Sequence, residues 1–336
     1  MSGADDPEAP VDEFDWIAKC LRPLAADAPE ALGLTDDAAA IPSRPGFDLI
    51  VSKDTIVAGV HFFPDDPPEL IARKLLRVNL SDLAAKGAEP DGYFLAIAWP
   101  PGFGWPERRA FAAGLATDQA EFGLRLFGGD TVATPGPLTA SVTILGWAPA
   151  GGMVRRSTAR PGDRILVTGT IGDGWLGLAA ARGEALGLGA ERVSWLADRY
   201  RLPRPRGGLR EGLLAAASAA ADVSDGLIAD AANIARASNM GVDIDLQRLP
   251  LSDAAMAWRD LQPDAAAATL ALATGGDDYE IVCTASAAGA ARLARDAEIA
   301  GLSLTDIGQV VGGSDLGVRY GARSLHVAKA GYRHGA

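Results

Sequence analysis

The residues of this sequence best suited to chemistry are aspartates set beside small or hydroxylated neighbours. Asp36-Asp37, Asp54, Asp82, Asp130, Asp222, Asp225 and Asp277-Asp278 stand close to Thr35, Ser52, Ser81, Gly129, Ser224 and Gly276. Taken singly, each is better explained as a helix cap or turn former, because a short carboxylate accepts hydrogen bonds from nearby backbone N–H groups. Taken together in space they would be something else. Ionised carboxylates within a few ångströms raise one another's pKa and stay charged only with cations among them. Mg2+ takes oxygen ligands and bridges one or two carboxylates to substrate phosphates. A converging set therefore predicts Mg2+, a polyphosphate and phosphoryl transfer.

Other routes to that chemistry are missing from the sequence. It has no GxxxxGK[ST] loop, no GxSxG elbow and no suitable Cys–His arrangement, so no covalent nucleophile is implied. The glycine-rich stretch 168–174 (TGTIGDG) fits either a phosphate loop at a helix N-terminus or a strand-to-helix turn.

Positioning falls to a mixed α/β chain of 336 residues, long enough for two domains. Strands are expected at 47–52, 93–98, 124–127 and 138–147 in the first half. Helices are expected at 15–24, 68–88 and 105–123, the second opened by Pro68 and Glu69 and closed by Gly87 and Pro90. Asn79 and Asp82, at i and i+3, share one face of that helix. In the second half, strands are expected at 164–168, 242–246, 279–284 and 307–311, with helices at 175–186, 226–238 and 287–299. The Arg- and Pro-rich stretch 200–210 reads as a solvated, extended connector. The expected division is a disordered tail over 1–13, an N-terminal domain over 14–148 and a C-terminal α/β domain over 149–336.

A net charge of −12 repels a phosphate backbone and argues against nucleic acid as a partner. No uninterrupted apolar run reaches membrane-spanning length, and the acidic start (Asp5, Asp6, Glu8) is unlike a signal peptide. Two distant cysteines and three histidines make neither a disulfide framework nor a convincing zinc site. These features lead to the expectation of a cytoplasmic protein with no membrane partner.

The ordered set of motifs resembles the thiamine-monophosphate kinase family, within the superfamily of aminoimidazole ribonucleotide synthetase and selenophosphate synthetase. The resemblance runs from about Phe14 to Tyr332. It rests on Leu34-Thr35-Asp36-Asp37-Ala38, Ser52-Lys53-Asp54-Thr55 through His61-Phe62, Asn79-Leu80-Ser81-Asp82 through Lys86-Gly87-Ala88, and Gly128-Gly129-Asp130-Thr131. In the second half it rests on Arg156-Ser157 with Pro161-Gly162-Asp163, Asp222-Val223-Ser224-Asp225-Gly226-Leu227, and Gly275-Gly276-Asp277-Asp278-Tyr279-Glu280.

The resemblance implies an aminoimidazole ribonucleotide synthetase-like two-domain fold, with N-terminal strands forming a barrel across a homodimer. It implies direct transfer from ATP to thiamine monophosphate, giving thiamine diphosphate. The alternative is another ATP-dependent enzyme of the superfamily acting on a different small acceptor. By position, Asp37, Ser52, Lys53, Asp54, Asp82, Asp130, Asp222 and Asp225 correspond to Mg2+ contacts. Gly129, Asp130, Arg156 and Ser224 correspond to ATP contacts, and His61, Asp277 and Tyr332 to acceptor contacts.

Two residues depart from the family pattern. Lys53 stands where many relatives have Thr, so a backbone carbonyl contact to metal survives but a hydroxyl does not; its ammonium points either to a phosphate or to solvent. Asp277 stands where relatives usually have Glu and reaches one methylene less far. Read without the resemblance, His61 is a hydrogen-bonded histidine beside Phe62, and Arg156 a surface arginine.

Overall fold

The computed structural model describes residues 11–332, in two units: 11–83 with 89–151, and 84–88 with 152–332. Residues 1–10 of the expected tail lie outside the described residues. Within that tail, Asp12 accepts from the N–H groups of Phe14 and Asp15 and caps the first helix, so the chain takes on structure before residue 13.

The first unit opens with short helical turns, α1 (Glu13–Trp16) and α2 (Arg22–Leu24), joined by the π-helical turn Ile17–Leu21. Four strands follow, β1 (Phe47–Val57), β2 (Glu89–Trp99), β3 (Arg125–Ala133) and β4 (Thr139–Pro149), with helices α3 (Pro68–Ala85) and α4 (Trp105–Phe122). The sheet order is β1-β4-β2-β3, antiparallel except for the parallel pair β2/β3 that α4 connects. Gly123, at φ +68, ends α4 in the left-handed conformation.

One face of this sheet packs under the helices. Leu76, Leu83, Leu95, Phe111, Leu115 and Val142 have almost no exposed surface. α3 and α4 approach closely because Gly114 has no side chain: a Cβ there would lie 2.3 Å from the Glu69 carbonyl oxygen. The other face is open on β1, where Leu49 and Val51 are exposed.

Gly128-Gly129-Asp130 was expected at the end of a strand and lies inside β3 instead. Gly129 makes this possible, since a Cβ on it would sit 1.8 Å from the Leu95 carbonyl oxygen of β2.

The second unit is a seven-stranded sheet ordered β11-β10-β7-β9-β5-β8-β6, mostly antiparallel with one parallel pair, β7/β10. Its strands are β5 (Arg164–Thr168), β6 (Ala219–Asp222), β7 (Gly241–Asp245), β8 (Ile281–Ala285), β9 (Leu304–Val311), β10 (Leu316–Tyr320) and β11 (Arg323–Ser324). Its helices are α5 (Asp173–Ala181), α6 (Ala190–Arg201), α7 (Arg210–Ala216), α8 (Leu227–Ala237), α9 (Asp253–Asp260), α10 (Ala265–Ala273) and α11 (Ala287–Ile299).

Both faces of this sheet are covered, as its apolar strands require. Ile165 and Val167 of β5 pack into one core with Leu227, Ile228 and Ile234 of α8. Leu166, between them, packs into the opposite core with Leu213 of α7 and Leu293 of α11. The strand expected to be final, β9, is followed by β10 and β11, and the expected connector 200–210 contains the end of α6 and the 3-10 turn Gly207–Leu209.

Gly129→Ala is expected to force β2 and β3 apart and to lower unfolding free energy by about 1–3 kcal/mol, measured by chemical denaturation.

Candidate active site

In the first unit, strand alternation turns Ser52, Asp54 and Ile56 of β1 toward α3, and Lys53 and Thr55 toward the open face. On α3, Asn79 and Asp82 share the face that their i, i+3 spacing predicts, and that face meets β1. The Asp54 N–H donates to Asn79 Oδ1 at 2.9 Å, and Asn79 Nδ2 donates to the Leu75 carbonyl at 2.8 Å. Ser52 Oγ donates to Asp82 Oδ2 in a short bond. Asn79 therefore pins the backbone of Asp54.

Asp54 and Asp82 repel each other. Burial, and then the Asp82 charge, push the Asp54 carboxyl up to about 6. Among the described residues, no Lys, Arg or His pairs with either carboxylate. Nor do three acidic, His or Cys side chains form a ready-made metal cage among those residues. The donors present are two carboxylates and a hydroxyl, all oxygen. They fit Mg2+ arriving with its nucleotide better than a cage built wholly from protein.

The remaining first-unit candidates spread outward from this pair. Asp37 is exposed in a turn, where its N–H donates to Asp36 Oδ1. His61 Nδ1 accepts from the Val57 N–H at 3.1 Å, so a neutral ring carries its proton on Nε2. The hydrogen-bonded histidine read from the sequence is thus present, and its carbonyl takes Lys74 Nζ. Lys53 Nζ donates to Ser141 Oγ at 2.9 Å, so its ammonium is tied to the outer face of the sheet.

Asp130 stands apart from Asp54. The cross-strand rows run Asp54–Val142–Leu95–Gly129 and Thr55–Ser141–Ala96–Asp130. Asp130 therefore shares the outer face with Thr55, three strands away at about 4.8 Å per strand.

In the second unit, Asp222 is buried at the end of β6, and the turn 223–226 leads into α8. All three carbonyls of Val223, Ser224 and Asp225 are occupied. They accept from the N–H groups of Tyr279, Asp277 and Tyr332, each at 2.8 Å. The candidates Ser224, Asp225, Asp277 and Tyr332 are thus brought together by main-chain bonds. Asp277 and Tyr279 adopt left-handed φ values of 62° and 52° to make them. Tyr279 Oη donates to Asp277 Oδ1 at 3.3 Å. Arg156 is exposed, and its carbonyl accepts from Ser238 Oγ.

The loop 168–174 is a strand-to-helix turn in which the N–H groups of Gly169, Ile171, Gly172 and Gly174 are already taken. The N–H groups of Gly172 and Gly174 donate to the Asp278 carboxylate, which caps α5 from 104–106 residues away. Burial pushes the Asp278 carboxyl well above the usual carboxylate range, against those two bonds. Asp173 takes Thr170 Oγ1 and Ser252 Oγ.

Beside this loop, the fully buried Glu280 carboxylate takes Arg206 through a forked contact, Arg199 Nη2 at 3.4 Å and Thr168 Oγ1 at 2.7 Å. The arginines expected in a solvated connector are in part core residues, because Glu280 needs counter-charge. Gly169, at φ +59, has no room for a side chain: a Cβ would lie 2.2 Å from Glu280 Oε1.

The fold and the acidic residues define a class that the comparisons make explicit. Residues 35–148 match the AIR synthase related protein, N-terminal domain, and residues 160–321 match the C-terminal domain of the same proteins. The chain is 51% identical over 327 residues, 97% of its length and 92% of the relative's, to the thiamine-monophosphate kinase of Caulobacter vibrioides. The solved thiamine-monophosphate kinase of Stenotrophomonas maltophilia superposes with a TM-score of 0.81 at 36% identity, covering 94% of this chain and 98% of that one. The structure of AaThiL complexed with AMPPCP and TMP superposes at 0.75 with 25% identity, covering 96% of each chain. The chain belongs to the thiamine-monophosphate kinase family, within the AIR synthase related proteins.

Two outcomes follow from these carboxylates. Asp54 holds its proton in the folded protein up to about pH 6, above its unfolded value. Its contribution to stability is therefore full below pH ~4 and is lost as pH rises through about 6. Metal-free Asp54→Asn should lack that loss and be more stable than wild type at pH 7.5 by on the order of 2 kcal/mol, read from denaturant melts. Glu280→Gln should leave Arg199 and Arg206 without their counter-charge and cost about 3–5 kcal/mol in the same measurement.

Proposed function

We propose that this chain transfers the γ-phosphoryl group of ATP to thiamine monophosphate, giving thiamine diphosphate and ADP, with Mg2+ as the metal. The near-full-length identity to a thiamine-monophosphate kinase carries the reading. The Asp54–Asp82 pair, which the described residues leave without a basic partner, agrees with it.

The chemistry asks little of a side-chain nucleophile. An acceptor phosphate has a second pKa near ~6, so its oxygen is already anionic at neutral pH and needs no general base. That oxygen bonds to the γ-phosphorus while the bond to the β–γ bridging oxygen breaks, and ADP leaves with the electron pair. The protein's part is to align the two phosphates and offset their charge. When bound, Mg2+ supplies charge neutralisation of the polyphosphate.

In this reading Asp37, Ser52, Asp54, Asp82, Asp130, Asp222, Asp225 and the Lys53 carbonyl hold the metal. Gly129, Arg156 and Ser224 hold ATP, and His61, Asp277 and Tyr332 hold the acceptor.

The reading includes a homodimer. β1 and β3 are the two edges of the first sheet, and Leu49 and Val51 on β1 and Val132 on β3 are exposed. Asp130 lies at the β3 edge, the far edge from Asp54. A second copy laying β3 along β1 would close both edges into a barrel and bring the partner's Asp130 beside β1. The same reading places the enzyme in the cytoplasm, with its nucleotide.

ADP release from ATP and Mg2+ should require thiamine monophosphate, with thiamine diphosphate as the product by chromatography. ADP release that instead needs a different small acceptor would overturn the assignment. Asp54→Asn should lower kcat/KM by about a hundredfold or more while remaining folded.

A further inference from the structure

We propose that Asp230 is a positioning residue that fixes the turn 223–226, and through it the nucleotide and acceptor segments, as one body. The inference rests on the function proposed above for the roles of Ser224, Asp225, Asp277 and Tyr332. Its geometry stands independently.

Asp230 lies in the first turn of α8 and is 2% exposed. Its carboxylate does not cap its own helix at the usual position. It reaches back beyond Gly226, and Oδ2 accepts from the N–H groups of Ser224 at 3.1 Å and Asp225 at 3.2 Å. Oδ1 takes Asn233 Nδ2 at 3.4 Å. A side-chain oxygen accepting two backbone N–H bonds out of water holds both donors, and losing it strands them.

The other side of the same turn is equally committed. The carbonyls of Val223, Ser224 and Asp225 receive the N–H groups of Tyr279, Asp277 and Tyr332. There is no slack at these contacts. A Cβ on Gly276 would lie 2.7 Å from the Ser224 carbonyl oxygen, and one on Gly331 would lie 2.5 Å from that of Asp225.

The turn is thus gripped from α8 by one carboxylate and from two distant segments by main-chain bonds. The side chains of Ser224 and Asp225 are held where α8 sets them. The segments bearing Asp277 and Tyr332 register on the turn, so their placement inherits that of Asp230. Removing the carboxylate frees the turn to shift, and the ATP-side and acceptor-side residues shift together.

A purely structural role would lower stability and the active fraction, and would leave the KM values alone. The positioning role predicts that Asp230→Ala raises KM for both ATP and thiamine monophosphate by about tenfold or more. Asp230→Asn keeps an oxygen that accepts the same two N–H bonds and should return both KM values to within about threefold of wild type. Amide hydrogen exchange on the wild-type protein is the measurement that does not depend on a variant folding or on the reaction assigned. The Ser224 and Asp225 amides should exchange slowly although the turn is partly exposed.

Fast exchange at those amides overturns the inference, as does Asp230→Ala with unchanged KM values. Asp230→Asn as impaired as Asp230→Ala overturns it too, because charge and not the backbone grip would then be what matters. Wild-type protein that is inactive on thiamine monophosphate yet shows protected amides would sink the functional reading and leave the grip on the turn intact.

Discussion

A carboxylate taken out of water must find a cation or several N–H donors, and that constraint orders this molecule. Glu280 finds Arg206, Arg199 and Thr168. Asp118 finds Arg73 and Arg77 between α3 and α4. Asp278 and Asp230 find backbone amides. The Asp54–Asp82 pair is resolved by neither route among the described residues. The same physics that satisfies the first four within the protein makes this pair a place for an outside cation.

The two units solve their packing differently, and this sets where residues can be displayed. The first has a single sheet with helices on one side, which leaves an outer face on which Lys53, Thr55 and Asp130 stand. The second has helices on both faces of its sheet, and Asp222, Ser224, Asp225 and Asp277 sit at the end of β6 and in the turns between β6 and α8 and between α10 and β8. Those turns are stiff. Left-handed φ values at Asp277 and Tyr279 persist because their N–H groups are bonded to the turn after β6. Pre-set positions of this kind suit a reaction in which alignment and charge offset, with no protein nucleophile, do the catalytic work.

The acidic surface and the phosphorylated substrates are compatible on the same grounds. A net charge of −12 disfavours long polyanions, which carry their own counter-ions in bulk. A small phosphate ester that arrives with divalent cations meets carboxylates as ligands and not as repelling charges.

Local order was legible in the residues themselves. β5 at Arg164–Thr168 and α11 at Ala287–Ile299 fall where apolar runs and helical periodicity put them, because those signals depend on neighbours a few positions away. The shared face of Asn79 and Asp82 was legible for the same reason, as was the ordered set of aspartate motifs that carries the family. Long-range pairing was not. Nothing near Arg199 and Arg206 announces Glu280, which lies 81 and 74 residues away and converts an apparent solvated connector into core. Gly128-Gly129-Asp130 looked like a strand end because glycines punctuate chains, yet the close approach of β2 needs Gly129 inside the sheet. The sequence by itself determined elements such as β5 and α11, the family and the set of acidic residues available, all of which follow from residue type and short-range spacing. Only the tertiary structure decided which carboxylates are partnered and which are left for a cation, because that depends on donors brought together across many tens of residues.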